Sequence, residues 1–245
     1  MAELEVAKHG KNVIHLMTKK EHKVSHRIRE IAVEIAIIVF AVSMSIWLHG
    51  LSEHHHQQQE VRTFLLGLKS DLAEDAASLA SIKEGYRGFD ANYAYLASLD
   101  PDKQPDWAKF RTAYAGFDSN WFFIPTRSRY DGFLMSGKLT NIEDQKLLAA
   151  ILSLYQSLLP QIQTSEGGWL TRQRKLRDYR DDKLEADDDM AHYRFLTAPK
   201  AKRLVGQMQS SPQLYERYQA YIDQSRQIIK TIDALYPDQA GRKAN

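Results

Sequence analysis

The stretch IREIAVEIAIIVFAVSMSIWLHGLSEHHHQQQE, residues 28–60, decides the fold. From Ile31 to Leu48 it is apolar apart from Glu34, Ser43 and Ser45. As a helix rising about 1.5 Å per residue it spans roughly 27 Å, close to the ~30 Å hydrocarbon core of a bilayer. Trp47 falls at the far end, where an amphipathic ring suits a membrane–water boundary. A cleaved signal peptide gives a similar run, and Ala41-Val42-Ser43 could serve as its cleavage site. The basic preamble is long for that, and the apolar run continues past the site through Trp47 and Leu48. The expectation is therefore a single uncleaved transmembrane helix over 28–51.

Working outward, charge sets the orientation. The residues before the run include Lys8, Lys11, Lys19, Lys20, Lys23, Arg27 and Arg29, whereas Leu51–Ser70 holds only Arg62 and Lys69 as cations. An excess of Lys and Arg marks the cytoplasmic side. This places 1–27 in the cytoplasm as a basic segment and the rest of the chain outside. Seven of the 33 basic and five of the 31 acidic residues precede position 35, leaving 26 of each beyond it. That balance argues against a nucleic-acid partner. The chain has no cysteine, which excludes disulfides, thiolate nucleophiles and cysteine metal sites.

Glu34 is an acid inside the cytoplasmic edge of the span. It can reach the headgroups and pair with Arg27, Arg29 or a lipid amine. Alternatively, Glu34, Ile38, Ala41 and Ser45 share one helix face, and Ala41 and Ser45 form a small-xxx-small pair that lets two helices approach closely. On that reading Glu34, Ala41 and Ser45 face a second copy of the chain. A proton or ion pathway lined by Glu34 is the further alternative.

Beyond the span, His49, Glu53, His56 and Glu60 step as i, i+4, i+7 and i+11, while His54 and His55 point elsewhere. His49, Glu53 and His56 are candidate ligands for zinc or copper, above all where several chains bring such stripes together. A wet, uncomplexed helix face is the plainer reading, and no other cofactor is implied.

Val61, Leu65, Leu68, Leu72, Leu79, Ile82 and Tyr86 continue a helical apolar stripe broken only at Asp75. Leu65, Leu68 and Leu72 are the residues of this seam expected to meet a second copy. Gly85 and Gly88 suggest its end, with a short helix over 91–99 after it. Asp106 is placed to cap a helix starting at Trp107. Gly137 sits where a left-handed turn is wanted. Thr140 or Asn141 is expected to start a helix carrying Leu147, Ile151, Leu154 and Leu158, ended by Pro160 and Glu166-Gly167-Gly168. A charged helix over 169–190 and a last one over 211–236 follow. RSRYDGF (127–133) could line an anionic pocket, but a buried structural network explains it as well. DKLEADDD (182–189) lacks the glycine and register of a calcium loop and reads as a solvated face.

No stretch alternates like a strand. The expected fold is all-α: a single N-terminal transmembrane helix continuing into an extracytoplasmic antiparallel helical bundle over 52–238, with a tail over 239–245.

Two stretches carry a family resemblance. AVEIAIIVFAVSMSIWLHGLSEHHHQQQEVRTFLLGLKSDLAED resembles the start of a bacterial single-pass membrane family catalogued as domain of unknown function 6090. Glu34-Ile35, Ser52-Glu53 and Leu68-Lys69-Ser70-Asp71-Leu72 match its motifs. YDGFLMSGKLTNIEDQKLLAAILSLYQ (130–156) is similar to its second block. Val33 stands where the family has glycine, Leu51 where it has tryptophan, and the histidine tract has no counterpart in it. The resemblance implies a bacterial inner-membrane protein with a periplasmic domain; the family has no assigned activity, so it speaks to topology and not to chemistry.

No Gly-rich phosphate loop, HExxH or G-x-S-x-G is present. The function expected is non-enzymatic: a membrane-anchored, homo-oligomeric scaffold, sensor or accessory protein. Its partners are the lipid bilayer, its own copies and another membrane protein. A periplasmic metal-binding role through the juxtamembrane histidines is the remaining alternative.

Overall fold

The computed structural model describes residues 2–237, with side chains for residue 29 and from residue 31 onward. The side chains of the expected cytoplasmic segment 1–27 and the whole of the expected tail 239–245 lie outside the described residues. Every regular element is helical, and no strand occurs among the described residues. The chain divides into two compact units, Met1–Gln59 and Glu60–Asn245.

Helix α1 runs over Ala2–Ser98. Its part in the first unit carries the apolar run, and none of that run is buried: Ile35, Ile38, Val42 and Ile46 are all more than half exposed. The described residues contain one helix long and apolar enough to cross a membrane, and this is it.

In the second unit, Val61, Leu65, Leu68, Leu72, Leu79, Ile82, Tyr86, Tyr93 and Leu96 of α1 are buried in steps of three, four or seven. The helix does not stop at Gly85 or Gly88 but continues to Ser98, absorbing the separate helix expected over 91–99. Gly85 is there for close approach: an added Cβ would lie 2.5 Å from the Trp121 ring. Gly67 does the same for the Arg129 guanidinium.

Helix α2 (Trp107–Ala115) starts as expected, with Asp106 accepting from the Ala108 and Lys109 N–H groups. Helix α3 (Ser128–Met135) ends at Gly137, whose φ of 72° is left-handed. A 3₁₀ turn then covers Lys138–Asn141. Helix α4 (Gln145–Ser153) is capped by Asp144, not by Thr140 or Asn141, because its carboxylate accepts from Lys146 and Leu147 N–H.

Pro160 and the two glycines do not end this helix. A π turn, Leu154–Leu158, joins α4 to α5 (Leu159–Lys183), and the Leu159 N–H donates to the Leu154 carbonyl. The wide turn relieves the usual clash of a proline with the preceding turn, so the helix passes through. Its buried stripe runs on unbroken as Leu159, Ile162, Glu166, Trp169, Gln173 and Leu176.

The charged helix expected over 169–190 stops at Lys183. Asp188 opens another, α6 (Asp189–Thr197), and Pro199 opens α7 (Pro199–Gly206). Helix α8 (Pro212–Leu235) closes the unit. The side-chain pairs Lys69–Asp233, Lys83–Gln219 and Asp90–Tyr215 advance along α1 while they retreat along α8. Gln224 to the Ala150 carbonyl and Arg217 to the Gln161 carbonyl show the same opposed sense between α4–α5 and α8. Trp169, fully buried, packs edge-on to Tyr86 and donates its indole N–H to the Met208 carbonyl.

Candidate functional site

Three places hold chemistry-bearing side chains, and each lies within one unit. In the first unit, the histidine stripe that follows the apolar run is an exposed helix face. His49, Glu53 and His56 are exposed, Glu53 accepts from Gln57 at 3.2 Å, and His55 meets Gln59 at 2.9 Å. Among the described residues no group of three or more His, Cys, Asp or Glu converges to hold a metal ion. Neighbours four apart on a helix can share an ion, but over seven residues the helix rises about 10 Å, so one chain brings at most two ligands of this stripe to one ion.

Glu34, Ala41 and Ser45 are likewise exposed and share a face free of intrachain packing. Leu65, Leu68 and Leu72, expected on the same intermolecular seam, are not available for it. They are 1%, 0% and 0% exposed in the core of their own chain. The periodicity that suggested a contact between copies is the stripe that α1 turns toward its own core.

The second place is the strap, residues 116–127, an irregular segment laid across the helices. Buried or half-buried backbone groups need partners, and here side chains supply them. Tyr93 and Tyr86 hydroxyls donate to the Phe117 and Trp121 carbonyls at 2.7 and 2.9 Å. Gln173 donates to the Ser119 carbonyl at 2.9 Å. Glu166 accepts the Phe123 N–H at 3.1 Å and the Tyr218 hydroxyl at 2.6 Å. Asp75 accepts the Thr126 N–H at 2.9 Å and the Tyr221 hydroxyl at 3.2 Å.

Asp75 and Glu166 are therefore a repeated device: a buried carboxyl that ties one strap amide to one tyrosine of α8. They are 2% and 3% exposed. Burial pushes both carboxyls above their ordinary range, against the lowering effect of the hydrogen bonds they accept. Burial likewise raises the Tyr218 and Tyr221 phenols. Sealed from solvent, neither carboxyl can meet a substrate, and what the arrangement does is fasten the strap.

Arg127 and Arg129, considered above for an anionic pocket, each pair with a neighbouring carboxylate. Arg127 bonds Asp131 and Arg129 bonds Asp71, each at 3.0 Å. The third place is an open cavity of about 670 Å³ between the end of α5, residues 184–188 and α6, with Tyr179, Leu184 and Phe195 beside Lys183, Glu185 and Arg194. Its charged lining residues are of both signs. His192 is bonded to Asp187 at 3.1 Å at the same loop.

Sequence reasoning saw Asp75 only as an interruption and missed Glu166 and Gln173. The signal was present: Glu166 and Gln173 continue the three-four spacing of Ile162 and Trp169, so both are polar residues on a core stripe.

No family model matches the chain, and neither a curated protein nor a solved structure does. Its class is accordingly the one the fold defines: a helical protein with one candidate membrane-spanning helix near the N-terminus.

Proposed function

We propose that this chain is a membrane-anchored, homo-oligomeric helical scaffold, sensor or accessory protein with no catalytic activity. It sits in a bacterial inner membrane with its N-terminus in the cytoplasm and its second unit, an antiparallel helical bundle, in the periplasm. The observation that carries the reading is the run from Ile31 to Leu48, which is apolar apart from Glu34, Ser43 and Ser45 yet wholly unburied. In water each such residue forgoes about 1.5–3 kcal/mol of burial, a loss that a bilayer removes. The opposed pairing of α1 and α4–α5 with α8 supports the bundle. The sealing of Asp75 and Glu166 supports a structural role for the buried acids.

Thiol labelling tests the topology, since the chain contains no cysteine of its own. A cysteine at Lys11 should be protected from an impermeant maleimide in intact cells. One at Ile124, 84% exposed, should be labelled once the outer membrane is opened. Labelling in the reverse pattern, or release of the chain into the soluble fraction, would overturn the reading.

A further inference from the structure

We infer that one end of the second unit rests against a lipid surface, with Leu134 and Met135 as the side chains that enter it. This deepens the anchoring proposed above and depends on it. Contacts within the unit identify that end. Lys138 donates to Glu60 at 2.7 Å, Phe133 stacks on Phe64 with ring centroids 4.0 Å apart, and the Arg62 guanidinium lies 5.7 Å over the Tyr236 ring. Helix α3 thus finishes, through the left-handed turn at Gly137, beside the first residues of the unit.

What it presents there is apolar. Met135 is 86% exposed and Leu134 40%, while Phe133, next to them, packs against the core. The chain itself limits where this end can go. Nine residue steps separate Leu51, the last residue of the expected span, from Glu60. At no more than about 3.3–3.6 Å each, they reach roughly 30 Å.

The occupant that fits is a bilayer interface and not an apolar partner protein. Apolar Leu and Met tips followed by a lysine such as Lys138 suit headgroup depth, where the cation stays in the polar layer. Charge does not oppose it. Of the acids on these elements, Glu60 pairs with Lys138 and Asp233 with Lys69, while Glu143 and the Arg62 cation act in opposite senses on Tyr236. Lys138 keeps 40% of its side chain exposed within its pair, so it can also reach a lipid phosphate.

Single nitroxide labels on the full chain test this in nanodiscs of zwitterionic and anionic phospholipid. The labelled variants are Ile38→Cys in the apolar run, Met135→Cys at the proposed contact, and Ile124→Cys as an equally exposed site on the strap. Relaxation by oxygen, which concentrates in lipid, is compared with relaxation by a water-soluble nickel chelate. The expected result is an oxygen-to-nickel ratio several-fold higher at position 135 than at 124, with position 38 higher still. If 38 is in lipid while 135 is as aqueous as 124, the contact is wrong and the anchor stands. If 38 is itself aqueous, the anchor fails and the contact falls with it.

Discussion

Two carboxyls set the behaviour of the strap, and their burial gives them a pH signature. Asp75 and Glu166 are held above the ordinary carboxyl range by desolvation. A raised folded value means that the folded state holds its proton longer than the unfolded chain. The stability from these groups is complete below the unfolded carboxyl range, about pH 4, and declines as pH rises through the folded values. Glu166→Gln retains an acceptor for the Phe123 N–H and cannot ionise. The loss of thermal stability on going from pH 4.5 to pH 8 should therefore be smaller in Glu166→Gln than in the parent. A larger loss in the variant would show that the two donors, and not burial, govern the group. Glu166→Ala is a different experiment. It strands the Phe123 N–H and the Tyr218 hydroxyl, each worth about 1–3 kcal/mol when left unsatisfied, and urea unfolding should register a drop of that order. Asp75 was legible in the sequence as a break in an apolar stripe. Glu166 was not, because its neighbours Gly167 and Gly168 look like the end of a helix.

Those same glycines define the second scale. Local residue preference says that Pro160, Gly167 and Gly168 break a helix, while the three-four spacing from Leu159 to Leu176 says that it continues. Spacing wins because the stripe buries Ile162, Trp169 and Leu176 in the core, with Trp169 against Tyr86 of α1, and a π turn accommodates the proline. Gly167 and Gly168 are exposed and have nothing within 4 Å of an added Cβ. Gly167→Ala and Gly168→Ala should each stabilise the chain by about 0.5–1 kcal/mol, measured by denaturant midpoint. Gly85→Ala should do the opposite, since its Cβ would meet the Trp121 ring at 2.5 Å and displace the strap. A stabilised Gly85→Ala would refute the close-approach account. Helices with long apolar repeats were legible: the stripe of α1, the capped start of α2 and all of α8. The short helices α6 and α7 escaped because each spans about two turns, too few for a period to show. Only Asp188 and Pro199, at their first turns, announced them.

For the whole molecule, the face proposed for a contact between copies narrows to one part of α1. With Leu65, Leu68 and Leu72 consumed by their own core, the remaining candidate face is Glu34, Ile38, Ala41 and Ser45, all exposed along α1. A spacing argument cannot separate a stripe that meets its own chain from one that meets another, since both follow the same helical period. Burial separates them, and it assigns the first stripe to the core and leaves the second open. In a bilayer, helices associate through close packing of small residues and interhelical hydrogen bonds, because apolar surface alone gains nothing against lipid. Ala41→Leu and Ser45→Leu place a branched side chain where the two backbones would approach, so each should shift the assembled species toward monomer in detergent, read by light scattering. Glu34→Gln should keep the assembly, since the amide still hydrogen-bonds across the contact at no cost in buried charge. The ordering of these three variants is the test. If both leucine variants run at the parent's size and cysteines placed on this face never crosslink, the copies do not meet through Glu34, Ala41 and Ser45. Glu34 then reaches up to the headgroups on an isolated helix, and Glu34→Gln, no longer needed at any contact, should be as well tolerated as a change on the opposite face.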